Sequence, residues 1–227
     1  MKNLKILLAL FSTGIIMFTS CKKDKVGKDD DKSAFDINNA TGYYIYVKYG
    51  NGSTVAYRPW LFEFGPGKTL KFYDASAEGN GTHIYPYEVI DGNIVGIKEM
   101  DFRFAIENGK VTSNDAILGG PILIKAPQTN QLAGKTFAGT YYYASGGVLH
   151  KNFFYSFAPR ENKVGAGLNI GNVVRTENYS SIGNIAAWVA IAGSDDLEFM
   201  VLVNGKLEVS YFQKKPYAVH SGSFTLQ

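Results

Sequence analysis

Beyond residue 42 the apolar positions fall in short runs of aromatic and β-branched residues, each closed by Gly, Asn, Asp or Pro. Tyr43–Tyr49 leads into Gly50-Asn51-Gly52, Trp60–Phe64 into Gly65-Pro66-Gly67, and Thr69–Tyr73 into the polar stretch 74–81. The habit returns in Asn152–Phe157, Ile185–Ala192, Leu197–Val203 and, after Asn204-Gly205-Lys206, Leu207–Phe212. Such runs with such punctuation are the sequence form of antiparallel hairpins, and no segment beyond the N-terminus sustains helical periodicity over three turns. The pattern predicts an all-β protein.

The two halves repeat one another. Trp60-Leu61-Phe62-Glu63-Phe64-Gly65-Pro66 aligns with Phe153-Phe154-Tyr155-Ser156-Phe157-Ala158-Pro159, Gly92-Asn93-Ile94 with Gly183-Asn184-Ile185, and Asn108-Gly109-Lys110-Val111 with Asn204-Gly205-Lys206-Leu207. Three matches in one order at an offset of about 93 residues are what domain duplication leaves. The polar stretch Lys125-Ala126-Pro127-Gln128-Thr129-Asn130-Gln131 supplies the boundary, giving β-domains at 41–127 and 128–227. The next residues, Leu132-Ala133-Gly134-Lys135-Thr136-Phe137-Ala138-Gly139, resemble the Leu-x-Gly-x-Trp-x-Gly opening of lipocalin-like domains in Bacteroidota lipoproteins, with Phe137 in place of Trp and one extra residue after Gly134. That resemblance covers residues 132–227 and implies up-and-down strands. Each half is thus expected to be a small antiparallel barrel, with a β-sandwich of the same strands as the alternative.

The N-terminus has another character. Lys2 and Lys5 precede an uncharged stretch, Ile6–Ser20, which ends at Phe18-Thr19-Ser20-Cys21 and is followed by Lys22-Lys23-Asp24-Lys25. A positive start, a short apolar stretch and small residues before a cut are the features of an export signal; a signal-anchor helix is the alternative. The segment resembles a lipoprotein signal with its lipobox, in the Ser-Cys form common in Bacteroidota. This implies cleavage after residue 20, lipid attachment at Cys21 and an outer-membrane address, with the periplasmic or cell-surface face open. Residues 21–40 then read as a tether, since Lys22–Lys32 carries almost no apolar side chain.

Removal of residues 1–20 takes Lys2 and Lys5 and no acid, lowering the formal charge from +3 to +1. A nucleic-acid partner is not implied. The chain has 15 Tyr, 15 Phe and a single Cys. Burial and hydrogen bonding must therefore hold the fold without a disulfide.

Catalytic patterns are thin. His83, His150 and His220 lack ligand-spaced partners, so neither a metal nor another cofactor is expected. Gly165-Ala166-Gly167 precedes no helix that could bind phosphate. Glu99 and Asp101, two apart on an expected strand, could serve acid/base work on a sugar or form a solvated face with Arg103. Asp195, Asp196 and Glu198 read as a charged hairpin turn, and there is no nucleophile elbow. What remains is the aromatic surplus, whose tyrosines fall on both faces of their strands, so that some are expected to be exposed. A small-residue face, Ala186, Trp188, Ala190 and Ala192, with Gly165 and Gly167 nearby, could leave room inside a barrel. Trp60, Tyr85, Tyr87, Tyr142 and Trp188 are accordingly the candidate ligand contacts. The expected role is a non-catalytic envelope binding module for a small apolar molecule, lipid or glycan. The alternative is an interaction or structural subunit of an outer-membrane complex.

Overall fold

The computed structural model describes residues 35–50 and 57–227. The expected export signal, Cys21, the expected tether as far as residue 34 and the turn around Asn51-Gly52 lie outside the described residues. The folded part begins earlier than composition suggested. Asp36 caps a 3₁₀ turn, Ile37–Asn39, and Phe35 packs edge-on against Tyr43 while Ile37 is buried. Apolar side chains at 35 and 37 thus anchor residues assigned to the tether.

The chain is all-β. In its first half run β1 (Tyr43–Tyr49), β2 (Arg58–Gly65), β3 (Thr69–Tyr73), β4 (Asn80–Pro86), β5 (Glu88–Ile90), β6 (Ile94–Ile97), β7 (Phe102–Glu107), β8 (Lys110–Ser113) and β9 (Leu118–Lys125). The second half carries β10 (Thr136–Tyr143), β11 (Val148–Phe157), β12 (Lys163–Gly167), β13 (Arg175–Asn178), β14 (Ser180–Ile182), β15 (Ala186–Ala190), β16 (Leu197–Val203), β17 (Lys206–Gln213) and β18 (Ala218–Leu226). The Asn-Gly pairs act as the sequence suggests. Asn108-Gly109 and Asn204-Gly205 both have positive φ at both residues, the two-residue turn whose twist suits a hairpin.

The second half forms one nine-stranded antiparallel sheet in the order β13-β12-β11-β10-β18-β17-β16-β15-β14. Its edges meet, because only Tyr179 separates β13 from β14, β13 touches β15, and the Ala192 N–H donates to Glu177 Oε2 at 3.2 Å. The sheet is a nearly closed barrel. The first half has a five-stranded sheet, β4-β3-β2-β1-β9, and a four-stranded one, β5-β6-β7-β8. Joined where β9 and β8 touch, these two sheets have the strand order of the nine-stranded sheet, β1 standing for β10 and so on through β9 for β18. The difference is one seam: β17 and β18 share an eight-residue ladder, whereas β8 and β9 pack without joining sheets.

The interiors of the two halves differ. In the first, Trp60, Phe62, Phe64, Phe72, Phe102 and Phe104 fill the space between the two sheets. In the second, smaller side chains such as Ala166 and Ala187 stand among Phe137, Phe157 and Phe224. A third apolar cluster joins the halves, with Tyr44, Tyr46 and Leu61 packed against Ile182, Phe199 and Val201. β1 therefore has core on both faces, and Tyr44 and Tyr46 are buried, whereas Tyr57 and Tyr143 supply the exposure expected of some tyrosines. Lys48 reaches Glu208 across the same junction at 3.0 Å. Gly183, in the β14–β15 turn, lies so near Tyr44 that a side chain there would collide with its ring.

Candidate functional site

The side chains of β16 alternate strictly. Phe199, Val201 and Val203 face the junction between halves, while Glu198, Met200 and Leu202 face the barrel interior. Glu198 is therefore a carboxyl group inside an apolar barrel, 1% exposed, and not part of the charged turn that the sequence suggested. Its neighbours come from three other strands. Arg175, at the start of β13, donates from Nη2 to Glu198 Oε1 at 2.5 Å. Tyr155 of β11 donates its hydroxyl to the same oxygen at 2.8 Å, and Tyr141 of β10 approaches it at 3.5 Å while touching the Tyr155 hydroxyl.

One oxygen of Glu198 thus takes every partner. Glu198 Oε2 and Arg175 Nη1 are buried with none among the described residues. Both residues border a cavity of about 170 Å³ at the barrel mouth, whose other walls are Tyr141, Leu149, His150, Phe153 and Tyr211. The Tyr211 hydroxyl is fixed by Asp196 Oδ2 at 2.5 Å, and its ring stacks on His220, centroids 5.9 Å apart. The opposite end of the barrel is plugged by Leu132 and Phe137.

The protonation states are set by burial. Desolvation, then the charge of Glu198, pushes the Tyr141 and Tyr155 phenols well above their ordinary range, so both stay neutral hydroxyls. Burial opposes the charge on Arg175, but the Glu198 carboxylate and its hydrogen bond outweigh it and hold the guanidinium protonated. The site is a neutral ion pair with one donor and one acceptor open, walled by rings and suited to holding a polar group. Buried charge with an unpaired oxygen is costly, and a bound partner would satisfy it.

His220, behind Tyr211, gives the stability of the fold a pH dependence. Burial, then repulsion from His150, lowers its pKa from 6.5, and the rings of Tyr143 and Tyr211 face it. The folded state thus takes up the proton less readily than the unfolded chain. This stability is complete above about pH 6.5 and is lost as pH falls through that value toward the folded pKa. Thermal unfolding at pH 7.5 and 5.0 should show a larger loss in the wild type than in His220→Phe; an equal loss would contradict this.

The five predicted contacts lie elsewhere. Trp60 is buried in the first core, stacked on Tyr49 at 3.8 Å and edge-on to Phe72. Tyr87 is buried with its hydroxyl toward the Ile37 carbonyl, and Tyr85 lies half-buried against His83. Tyr142 is half-buried between Tyr141 and Tyr143, on the opposite face of β10 from the cavity. Trp188 packs into the junction between halves, so the face Ala186–Trp188 looks out of the barrel while Ala187 and Val189 look in. The small-residue face was assigned to the wrong side of the sheet. Gly165 and Gly167 likewise leave no room: a side chain at either would meet Val173 or Asn172 of the β12–β13 connection. Glu99 lies in a 3₁₀ turn and Asp101 follows it in left-handed backbone, so they do not share a strand face.

The residues missed were Arg175, His150, Phe153, Tyr211 and, as an interior group, Glu198. One signal was present: Glu198 is the single charge within the apolar run Leu197–Val203, and a charge within such a strand reads as paired or functional.

A wider hollow lies beside Gly193–Asp196 and Lys214-Lys215, but its rim is an exposed Asp195–Lys214 ion pair. Among the described residues no group of three or more His, Cys, Asp or Glu could hold a metal ion, and no helix is long and apolar enough to cross a membrane. Comparison with known proteins finds no family model, no curated protein and no solved structure that matches the chain.

Proposed function

We propose that this protein is a non-catalytic binding module of the cell envelope, which takes a small molecule in the mouth of its C-terminal barrel. The carrying observation is that Glu198 Oε2 and Arg175 Nη1, both buried and unpaired, belong to residues lining a cavity with ring walls. The lipobox around Cys21 supports an outer-membrane address through a lipid anchor. The shared strand order supports two tandem lipocalin-like domains from one duplication, the first a scaffold. By the repeat alignment Phe62 stands where Tyr155 does and Trp60 where Phe153 does. Counting back from the Asn-Gly turns, Phe102 stands where Glu198 does. Rings fill in one half the place that the polar network holds in the other.

A second reading, an interaction subunit, draws on the exposed apolar residues Leu168, Ile170, Val173 and Val174 in the β12–β13 connection. One experiment separates the two. The purified protein is incubated with envelope extract and weighed by native mass spectrometry. A discrete small added mass is expected, kept in Trp188→Ala and lost in Leu149→Trp, which fills the mouth. A small mass indifferent to Leu149→Trp, or none, overturns the cavity reading. A protein-sized mass lost in Val174→Asp replaces it with the interaction subunit.

A further inference from the structure

We infer that the ligand of this cavity is a single neutral sugar ring, free or at the end of a glycan, held by adjacent hydroxyls between Arg175 and Glu198. The inference rests on the proposal that the cavity binds a small molecule, and narrows it. Three observations converge.

The first is what the open groups demand. Arg175 Nη1 can only donate, and Glu198 Oε2, in a carboxylate, can only accept. The Nη2–Oε1 bond holds the two residues in contact at 2.5 Å, so the unpaired donor and the unpaired acceptor belong to neighbouring side chains of one cavity wall. A hydroxyl both donates and accepts, so two neighbouring hydroxyls answer both groups at once. Tyr141, whose hydroxyl touches that of Tyr155, and Tyr211 line the cavity beside them, so the wall carries more polar groups than one amide group would use.

The second is charge. A carboxylate or phosphate brought to Arg175 would also meet Glu198, and an ammonium brought to Glu198 would meet Arg175. In a site where Glu198 is 1% exposed, such repulsion is little screened. The built-in ion pair thus selects against either sign.

The third is size and wall. A cavity of about 170 Å³ has the volume of roughly five or six waters at about 30 Å³ each. That admits one six-membered sugar ring, and any further ring of a glycan, or most of a long acyl chain, would have to lie outside the mouth. Tyr141, Phe153 and Tyr211 offer ring faces on which the C–H face of a sugar can lie.

The test uses ligand-observed NMR and calorimetry on the full protein. The probes are glucose, galactose, mannose and N-acetylglucosamine with their methyl glycosides, glucuronate, glucosamine at pH 6, nicotinamide and decanoate. At least one neutral sugar should bind, with its charged analogue weaker by roughly tenfold or more. Arg175→Lys, which keeps the charge but has one donor nitrogen in place of the guanidinium's separate Nη1 and Nη2, should weaken it by a similar factor. Leu149→Trp, which leaves the ion pair intact, should abolish binding. A methyl glycoside or an oligosaccharide ending in the same sugar binding at least as well assigns the glycan end; loss on methylation assigns the free sugar. Binding of decanoate or nicotinamide in place of any sugar, blocked by Leu149→Trp, overturns the sugar and leaves the cavity reading standing. No binding by any probe, with no added mass from extract, removes both.

Discussion

Arg175→Met should lower the unfolding free energy by about 3 kcal/mol, the lower end of the 3–5 kcal/mol seen when one partner of a buried ion pair is removed. The lower end applies because the Arg175 side chain is 22% exposed and water can partly replace it, whereas Glu198 at 1% has no such recourse. Urea unfolding measures the loss as a lower midpoint at unchanged slope. The informative comparison is Arg175→Met combined with Glu198→Met. Removing both charges should restore most of the stability, because a buried pair contributes little net and costs dearly only when broken. Ligand binding should not return. If the double variant is instead as unstable as the single one, the pair is part of what holds the barrel together, and its open atoms lose their meaning as a binding signal.

In the other half, Phe62→Ala should cost about 3–5 kcal/mol, the range for emptying a buried aromatic site. Phe62 is fully buried with Trp60, Phe72 and Phe104 ringed about it, their centroids 5.3–6.4 Å away. Urea unfolding followed by Trp60 fluorescence measures the loss. Where the variant is folded, its affinity at the C-terminal cavity should equal that of the wild type. A parallel loss of affinity would mean that the first half shapes the site, and would end its reading as a scaffold.

Much of the fold is legible because it rests on local rules. Tyr43–Tyr49, Thr69–Tyr73 and Leu197–Val203 were read residue for residue, since strand composition and turn residues mark both ends. The shared strand order was legible in Asn108-Gly109 and Asn204-Gly205, whose two-residue turns close equivalent hairpins of the two halves. The site was not, and the reason is sidedness. Alternation states that Ala186 and Trp188 share a face, but which face looks into the barrel depends on what packs outside it. Here the first half covers the face with the tryptophan, a long-range fact absent from the run itself. Some tyrosines, Tyr57 and Tyr143, are exposed as expected, but which ones could not be told for the same cause: a strand with core on both sides hides Tyr44 and Tyr46, rings that would be half exposed in an isolated sheet. Arg175 lies beyond pattern reading, since its partner stands 23 residues away and is met only when β13 curls back toward β15.

The seat of β18 between β10 and β17 sets the order in which the protein comes into being. On the growing chain the first half has all its strands once β9 is made. β10 then waits for β18 as β1 waits for β9: the Ala138 carbonyl meets the Thr225 hydroxyl 87 residues downstream. Long closures of this kind are slow, and domains tend to fold in order of synthesis. The second half would therefore assemble against an already formed neighbour. A nascent chain lacking its last strand has no barrel mouth, so recognition begins only when that strand is in place.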